Sequence, residues 1–264
     1  NLDKVYAIDS GGTVSLQSDD ADVTITGSDR EDVRVVVNYR LRVKGFSFGQ
    51  KDRFEMIVEE ENGNLRIYEK ERDFGNRVVF GSSKEEYEIT LEVPRGVSLE
   101  LDGDDENYEI TSVDGSLGID ADDSTINISD CRGDNFSFDL DDGEVRMDRG
   151  KGSLRMDIDD GDVLIMNGEF DDIEIESDDS ELEIATTLSD TGNYRFEFDD
   201  GDLRLQVAGG GGEFDIRHDN ADITTDSAFE RTLDDEDRSV YNLPGGNAQV
   251  RISSDDGDID LRVI

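Results

Sequence analysis

Aspartate comes in pairs along this chain, and the pairs recur. They begin at Asp19, Asp104, Asp122, Asp141, Asp159, Asp178, Asp199, Asp219 (with Asn220 as its second member) and Asp255. Hard carboxylate oxygens at regular spacing suit Ca²⁺, which takes roughly six to eight oxygens in flexible geometry. If successive pairs stack in register, Asp141, Asp159, Asp178 and Asp199 form one column, and Asp142, Asp160, Asp179 and Asp200 form a second. Neighbours in a column would then be about 4.8 Å apart. These eight residues are the candidate metal site, with Ca²⁺ as its cation. The alternative is a solvated acidic stripe screened by diffuse salt. The pairs lack the fixed Gly-x-Gly-x-Asp spacing of calcium-binding nonapeptide coils. Nothing else in the chain requires a cofactor.

The elements that would position these carboxylates are short strands meeting at bends. One copy runs through Phe136, Phe138 and Leu140, then Asp141-Asp142-Gly143-Glu144, then Val145 and Met147. Another runs through Met156 and Ile158, then Asp159-Asp160-Gly161-Asp162, then Val163 and Ile165. Apolar residues at every second position put one face of a strand inward, whereas a helix needs spacings of three and four. Glycine adopts positive φ freely and Asp bonds its own backbone, so the acidic unit suits a tight bend. Ser124, Ser180, Ala21 and Ala221 take the place of glycine elsewhere.

From Asp104 to Asp219 the pairs are 18, 19, 18, 19, 21 and 20 residues apart. One such unit cannot bury its own apolar face and needs like units above and below it. The fold class is therefore all-β, a single-stranded β-helix or β-solenoid. Phe138, Leu140, Val145, Met156, Ile158, Val163, Ile173, Ile175, Leu182, Phe196, Phe198 and Leu203 are expected to point inward in stacked rows.

The chain reads as one elongated domain, residues 1–264, with a first coil at 1–29, serial coils at 97–228 and a last coil at 248–264. In the strand-rich segment 30–96 the bend signature lapses, and Asn62-Gly63 is a hairpin turn. This segment is expected to be an N-terminal cap, because an open solenoid end exposes unpaired backbone. Gly45–Gly49 and Asp73–Arg77 are candidate exposed loops carrying aromatic residues. Residues 229–247 interrupt the period and read as a surface excursion. The coils at Val14 and Val250 look like ordinary repeats, so association through the ends of the stack is expected.

The 264 residues carry 69 acidic and 26 basic side chains, a net charge of -43. Contact with nucleic acid is excluded on that charge, and contact with anionic lipid headgroups is disfavoured. Alternation of the acids with Val, Ile, Leu and Phe argues against disorder. No apolar run is long enough to span a membrane as a helix, and direct membrane insertion is not expected. Cys131 is the only cysteine, which rules out an internal disulfide, and it reads as a small core or turn residue.

No catalytic constellation stands out, and the chain reads as no enzyme. His218 is the only histidine, and a Ser/His/Asp arrangement around it is the one candidate; a lone turn histidine is ordinarily a solvated polar residue. Paired carboxylates this numerous do not mark a glycosidase, which needs one carboxylic acid of raised pKa in a cleft. No basic cluster is visible to receive a uronate. Gly209 to Gly212 lacks the Lys-Ser/Thr of a phosphate loop and reads as a linker between coils.

The order of these elements resembles the putative-adhesin β-strand-repeat family and its head-domain relatives. The resemblance rests on Ile89-Thr90-Leu91-Glu92-Val93-Pro94-Arg95-Gly96-Val97, the serial coils, and a closing Val250 to Leu261 around Asp255-Asp256-Gly257-Asp258. It covers nearly the whole chain. It implies a right-handed β-helix on exported bacterial proteins, hence an extracellular, cell-surface or periplasmic location. It also implies a role in surface interaction or adhesion, with a cell-surface protein or glycan as partner. The alternatives are a subunit of an end-to-end extracellular fibre and a carbohydrate-active β-helix enzyme.

Overall fold

The computed structural model describes residues 1–48, 54–70 and 78–264, and every regular element among them is a β-strand. The chain opens with β1 (Leu2–Ala7), β2 (Thr13–Gln17), β3 (Asp22–Ser28) and the long β4 (Asp32–Phe48). The hairpin β5 (Met56–Glu61) and β6 (Asn64–Glu69) precedes a second long strand, β7 (Val78–Pro94). β8 (Ser98–Gly103) and β9 (Asn107–Thr111) form one coil, which β10 (Leu117–Ser129), β11 (Asn135–Asp148), β12 (Lys151–Thr187) and β13 (Asn193–Gly209) continue. The last elements are β14 (Gly212–His218), β15 (Asp222–Thr225), β16 (Glu230–Asp234), β17 (Arg238–Leu243), β18 (Ala248–Ser254) and β19 (Asp258–Val263).

From β8 to β13 each coil pairs in parallel with the next, and like residues face like. Phe138 lies opposite Ile119 and Met156, Val145 opposite Ile126 and Val163, and Leu182 opposite Leu203. All twelve residues expected inside are buried and belong to one continuous core. The nearly regular spacing of the bends, with one register shift at Thr186/Thr187, keeps the inward face from coil to coil. Asn62 and Gly63 both have positive φ (52° and 80°) in the two-residue turn joining β5 to β6, as the hairpin reading requires.

At both ends the order in space departs from the order in sequence. β2 lies between β6 and β8, and β3 between β7 and β9, so the first coil is inside the stack. β18 and β19 lie between β13 on one side and β14 and β15 on the other. The chain runs out through β14 and β15 and then returns to insert its final coil beneath them. The coils at Val14 and Val250 are thus sandwiched, and the reason for expecting association through them disappears. The ends are finished by antiparallel strands instead: β4 against β7 and β1, and β17 against β14 and β16.

Residues 229–247 are not a surface excursion. Tyr241, Leu243 and Phe229 are buried, and the Phe229 ring meets Phe214 edge-on at 5.1 Å. The apolar residues of this segment cover β14, the outermost coil strand at that end, which would otherwise expose its core. Gly45–Phe48 is also strand rather than loop, paired with β7 through Phe48 and Val78, while Asp73–Arg77 lies outside the described residues.

Candidate functional site

The acidic bends stack as the spacing requires. Asp142 lies opposite both Asp123 and Asp160, and Asp179 lies opposite Asp200. Backbone hydrogen bonds carry the ladder through the bends: Asp123 N–H donates to Asp104 O (2.9 Å) and Asp256 N–H to Asp199 O (2.9 Å). The insertion of the last coil puts Asp255 and Asp256 next to the Asp199 bend, and Asn220 N–H donates to Asp255 O (2.8 Å). The eight residues Asp141, Asp142, Asp159, Asp160, Asp178, Asp179, Asp199 and Asp200 therefore share one ridge along the stack.

Their carboxyls feel one another. Asp159, though exposed, is raised above its ordinary pKa by desolvation against its neighbours and then by Asp178 and Asp141. Asp142 is raised in the same way by desolvation and then by Asp123 and Asp160, and Asp122 chiefly by Asp141. Crowded like charges favour the protonated form, and repulsion along the columns is the leading cause at Asp122 and a secondary one at Asp142 and Asp159. Among the described residues no three or more His, Cys, Asp or Glu side chains are grouped to hold one metal ion. The ridge offers neighbouring carboxylates from successive coils rather than a closed cage.

A residue that the sequence reading passed over stands at the N-terminal end of this ridge. In the bend between β8 and β9, Glu106 occupies the position that Gly143, Gly161 and Gly201 occupy in later bends. It is 1% exposed, and Ser18 Oγ donates to its Oε1 (2.9 Å). Its Oε2 is buried without a hydrogen-bond partner among the described residues, as is the nearby Tyr108 hydroxyl. Burial pushes the Glu106 carboxyl up to about 8, reinforced by Asp19, Asp104 and Asp20 and opposed by the Ser18 hydrogen bond. The available signal was a glutamate at a small-residue position, three residues after a glycine, Gly103.

A second repeating corner also went unread. Ser112, Asp130, Arg149 and Asn167 all have positive φ (61°, 54°, 59° and 54°) and lie one coil apart. For non-glycine residues this conformation is held only when the surroundings impose it. Here neighbouring coils do so: Arg149 N–H donates to Met166 O (3.0 Å), and Asn167 Nδ2 donates to Asp148 (2.8 Å). The residue types at this corner share no pattern, so composition could not reveal it.

The other candidates fall into place simply. His218 Nε2 lies 3.4 Å from Ser239 Oγ, and no carboxylate completes a triad among the described residues. Cys131 is buried at the left-handed corner, where Val113 N–H approaches its sulfur (3.5 Å). Gly209 to Gly212 joins β13 to β14. A Cβ on Gly212 would fall 2.1 Å from Ala248 O, so the run allows the returning chain to pass close by.

A model of the Toastrack DUF4097 family matches residues 13–262. No curated protein matches the chain. Among solved structures, a putative cell adhesion protein from Clostridium sporogenes is similar at 10% identity and a TM-score of 0.30, over 100% of this chain and 99% of that one. A putative adhesin from Bacteroides fragilis is similar at 13% identity and a TM-score of 0.26, over 100% and 96%. A putative lipid binding protein from Parabacteroides distasonis is similar at 12% identity and a TM-score of 0.25, over 98% and 96%. With the family match spanning almost every coil from β2 to β19, this β-solenoid-like chain belongs to the Toastrack DUF4097 family.

Proposed function

We propose that the protein is an exported, non-catalytic surface-interaction protein of adhesin type, meeting a cell-surface protein or glycan through the outward faces of its stacked coils. The observation that carries this reading is the parallel register from β8 to β13, kept but for one shift at Thr186/Thr187, which sets exposed residues of successive coils in rows. Such a surface presents the same group again and again at strand spacing, which suits an extended or repetitive partner. The resemblance to adhesin-type repeat proteins read from the sequence points the same way.

Along the bend ridge, cations are proposed to relieve the repulsion, with Ca²⁺ bridging carboxylates of adjacent coils at Asp141, Asp142, Asp159, Asp160, Asp178, Asp179, Asp199 and Asp200. Support comes from the raised Asp122, Asp142 and Asp159 carboxyls. Ca²⁺ accepts the irregular oxygen sets that such a ridge would supply.

The test is a binding screen of the purified protein against immobilised cell-surface glycans, extracellular matrix proteins and whole bacterial and host cells, in calcium and in chelator. Saturable binding to one of these, without turnover of the ligand, is expected. Release of shortened oligosaccharides from any bound glycan would replace this reading with the enzyme alternative, and absence of binding to all of them would overturn it.

A further inference from the structure

With 69 acids against 26 bases, an arginine on this surface should find a carboxylate, and most do. In one place two do not. Arg217 on β14 and Arg251 on β18 are exposed, and neither forms an ion pair or side-chain hydrogen bond among the described residues, although both lie close enough to Asp215 to help lower its pKa. With Arg195 on β13 they line an open groove of about 240 Å³.

The groove is a product of the inserted coil. Arg195 faces Arg251 across the β13–β18 pair, and Arg251 faces Asp215 while Arg217 faces Ser253 across the β18–β14 pair. In sequence order Arg195 and Arg251 are far apart; only the return of the chain makes them neighbours. The two carboxylates present are already engaged. Asp215 accepts two hydrogen bonds from Arg238 (2.8 and 3.0 Å), and Glu197 accepts from Arg195. Within the groove itself three arginines (Arg195, Arg217 and Arg251) stand against two carboxylates (Glu197 and Asp215), and Asp215 is taken up by Arg238 from outside, while Glu174, Glu176 and Glu213 lie just beyond the lining.

Like charges placed directly opposite in a sheet destabilise it. Opposed guanidinium groups become favourable when an oxyanion sits between them, since each offers a planar fork of donors to carboxylate or sulfate oxygens. The groove is open and crosses three coils, so it fits a group carried on a chain lying over the surface. Flanking acids such as Glu174, Glu176 and Glu213 repel a densely charged polyanion within a Debye length.

We propose that Arg195, Arg217 and Arg251 form a binding site for the carboxylate or sulfate of a sparsely charged acidic glycan. The choice of a glycan rests on the surface-interaction reading; the choice of an oxyanion rests on the groove alone.

The experiment titrates the full chain by calorimetry at low salt with three probes: an oligosaccharide of alternating uronate and N-acetylhexosamine, a neutral N-acetylhexosamine oligosaccharide of the same length, and inorganic sulfate. The acidic oligosaccharide should bind, and the neutral one should not. R217Q and R251Q, both at exposed positions, should each weaken binding about tenfold or more, as expected for loss of a charge-assisted hydrogen bond, with thermal melting unchanged. Equal binding of acidic and neutral oligosaccharides, or unchanged affinity in the double variant, would overturn the site. Sulfate binding that the double variant loses, without any glycan binding, would keep the oxyanion site and remove the glycan. Failure of all three probes would remove the site, whatever the cell-binding screen returned.

Discussion

Two bends of the same stack solve one packing problem in opposite ways. At the bend within β11, Leu140 fills the core and Gly143 has no side chain. At the bend between β8 and β9, Gly103 has no side chain and Glu106 turns into the space. Ala121 lies opposite both Gly103 and Leu140, so the positions are equivalent. Intermediate bends carry Ile158 with Gly161, Phe198 with Gly201, Ala121 with Ser124, and Ser177 with Ser180. In none of these bends are both positions large: a bulky side chain at one is met by glycine at the other, three residues away, and otherwise both are small. The interior admits little else: a Cβ on Gly201 would fall 2.3 Å from Ser180 O, and one on Gly103 would fall 2.0 Å from Glu106 Oε2.

The comparison breaks most severely at its apolar extreme. Phe198 is 2% exposed and provides nearly all the side-chain volume of its bend. Phe198→Ala should cost about 3–5 kcal/mol through lost burial and the cavity left beside Gly201. Denaturant titration followed by far-UV circular dichroism measures it. A cost below about 1 kcal/mol would mean that neighbouring coils collapse into the space, and that the pairing of large with small is loose.

The polar extreme should announce itself through pH. The Glu106 carboxyl sits at about 8 in the folded chain, against an ordinary glutamate near 4.5. Between those values the folded state holds a proton that the unfolded state has released, so stability falls as pH rises from about 4.5 to about 8 and then levels off. With allowance for water reaching the bend, the loss is roughly 2–4 kcal/mol. Glu106→Gln keeps the shape and the Ser18 hydrogen bond but removes the titration, and should flatten this part of the profile. Parallel profiles for the two proteins would show that Glu106 is ionised and solvated in the fold.

A direct exchange of one bend type for the other sharpens the comparison further. Gly103→Leu alone should destabilise by about 1–3 kcal/mol, because the new side chain meets the Glu106 carboxyl and the Tyr108 hydroxyl in a filled space. Adding Glu106→Gly rebuilds the Leu140 and Gly143 arrangement and should recover most of that loss. A double-mutant cycle measures the coupling. Additive effects would mean that the two positions do not share one space.

The middle of the stack was legible in the sequence because each coil there repeats its neighbour, so inward residues such as Phe138, Met156 and Ile175 declare themselves by alternation alone. The ends were not legible, because insertion of the Val14 and Val250 coils between others is a matter of chain return, on which local pattern is silent. Tyr241 and Phe229 looked like part of an excursion for the same reason: what they cover is far away in sequence. The acidic ridge could be read from spacing, while Glu106 lay hidden by its type, one more acid among 69. The Arg195, Arg217 and Arg251 groove could not be found at all without knowing which coil lies beside which.

The smallest effect belongs to the ridge that joins these bends, since its carboxylates are exposed and salt screens them. Asp105, Asp122, Asp142 and Asp159 are all raised above the ordinary aspartate value, Asp122 chiefly by Asp141 and the others first by desolvation against the neighbouring coils and then by neighbouring aspartates. A raised folded-state pKa means that the folded chain binds more protons just above the ordinary carboxylate range, so stability should rise as pH falls from neutral into that range. Further acid reverses the trend. Asp3, Asp215 and Asp226 are held low, Asp3 and Asp215 chiefly by hydrogen bonds from Arg34 and Arg238 and Asp226 by the Val263 N–H with Arg262, and their contribution is lost as pH falls through their folded-state pKa values. The melting temperature should therefore pass through a maximum on the mildly acidic side. At neutral pH in low-salt chelating buffer, sodium chloride should raise it by roughly a few degrees through screening. Calcium should produce the same rise at far lower concentration if it bridges Asp141, Asp142, Asp159, Asp160, Asp178, Asp179, Asp199 and Asp200, and Asp142→Asn with Asp160→Asn should abolish the calcium advantage while keeping the sodium response. Equal responses to calcium and sodium at matched ionic strength would show diffuse screening and remove the bridging ion, and a melting temperature indifferent to both would mean that the ridge carboxylates splay too far apart to repel one another measurably.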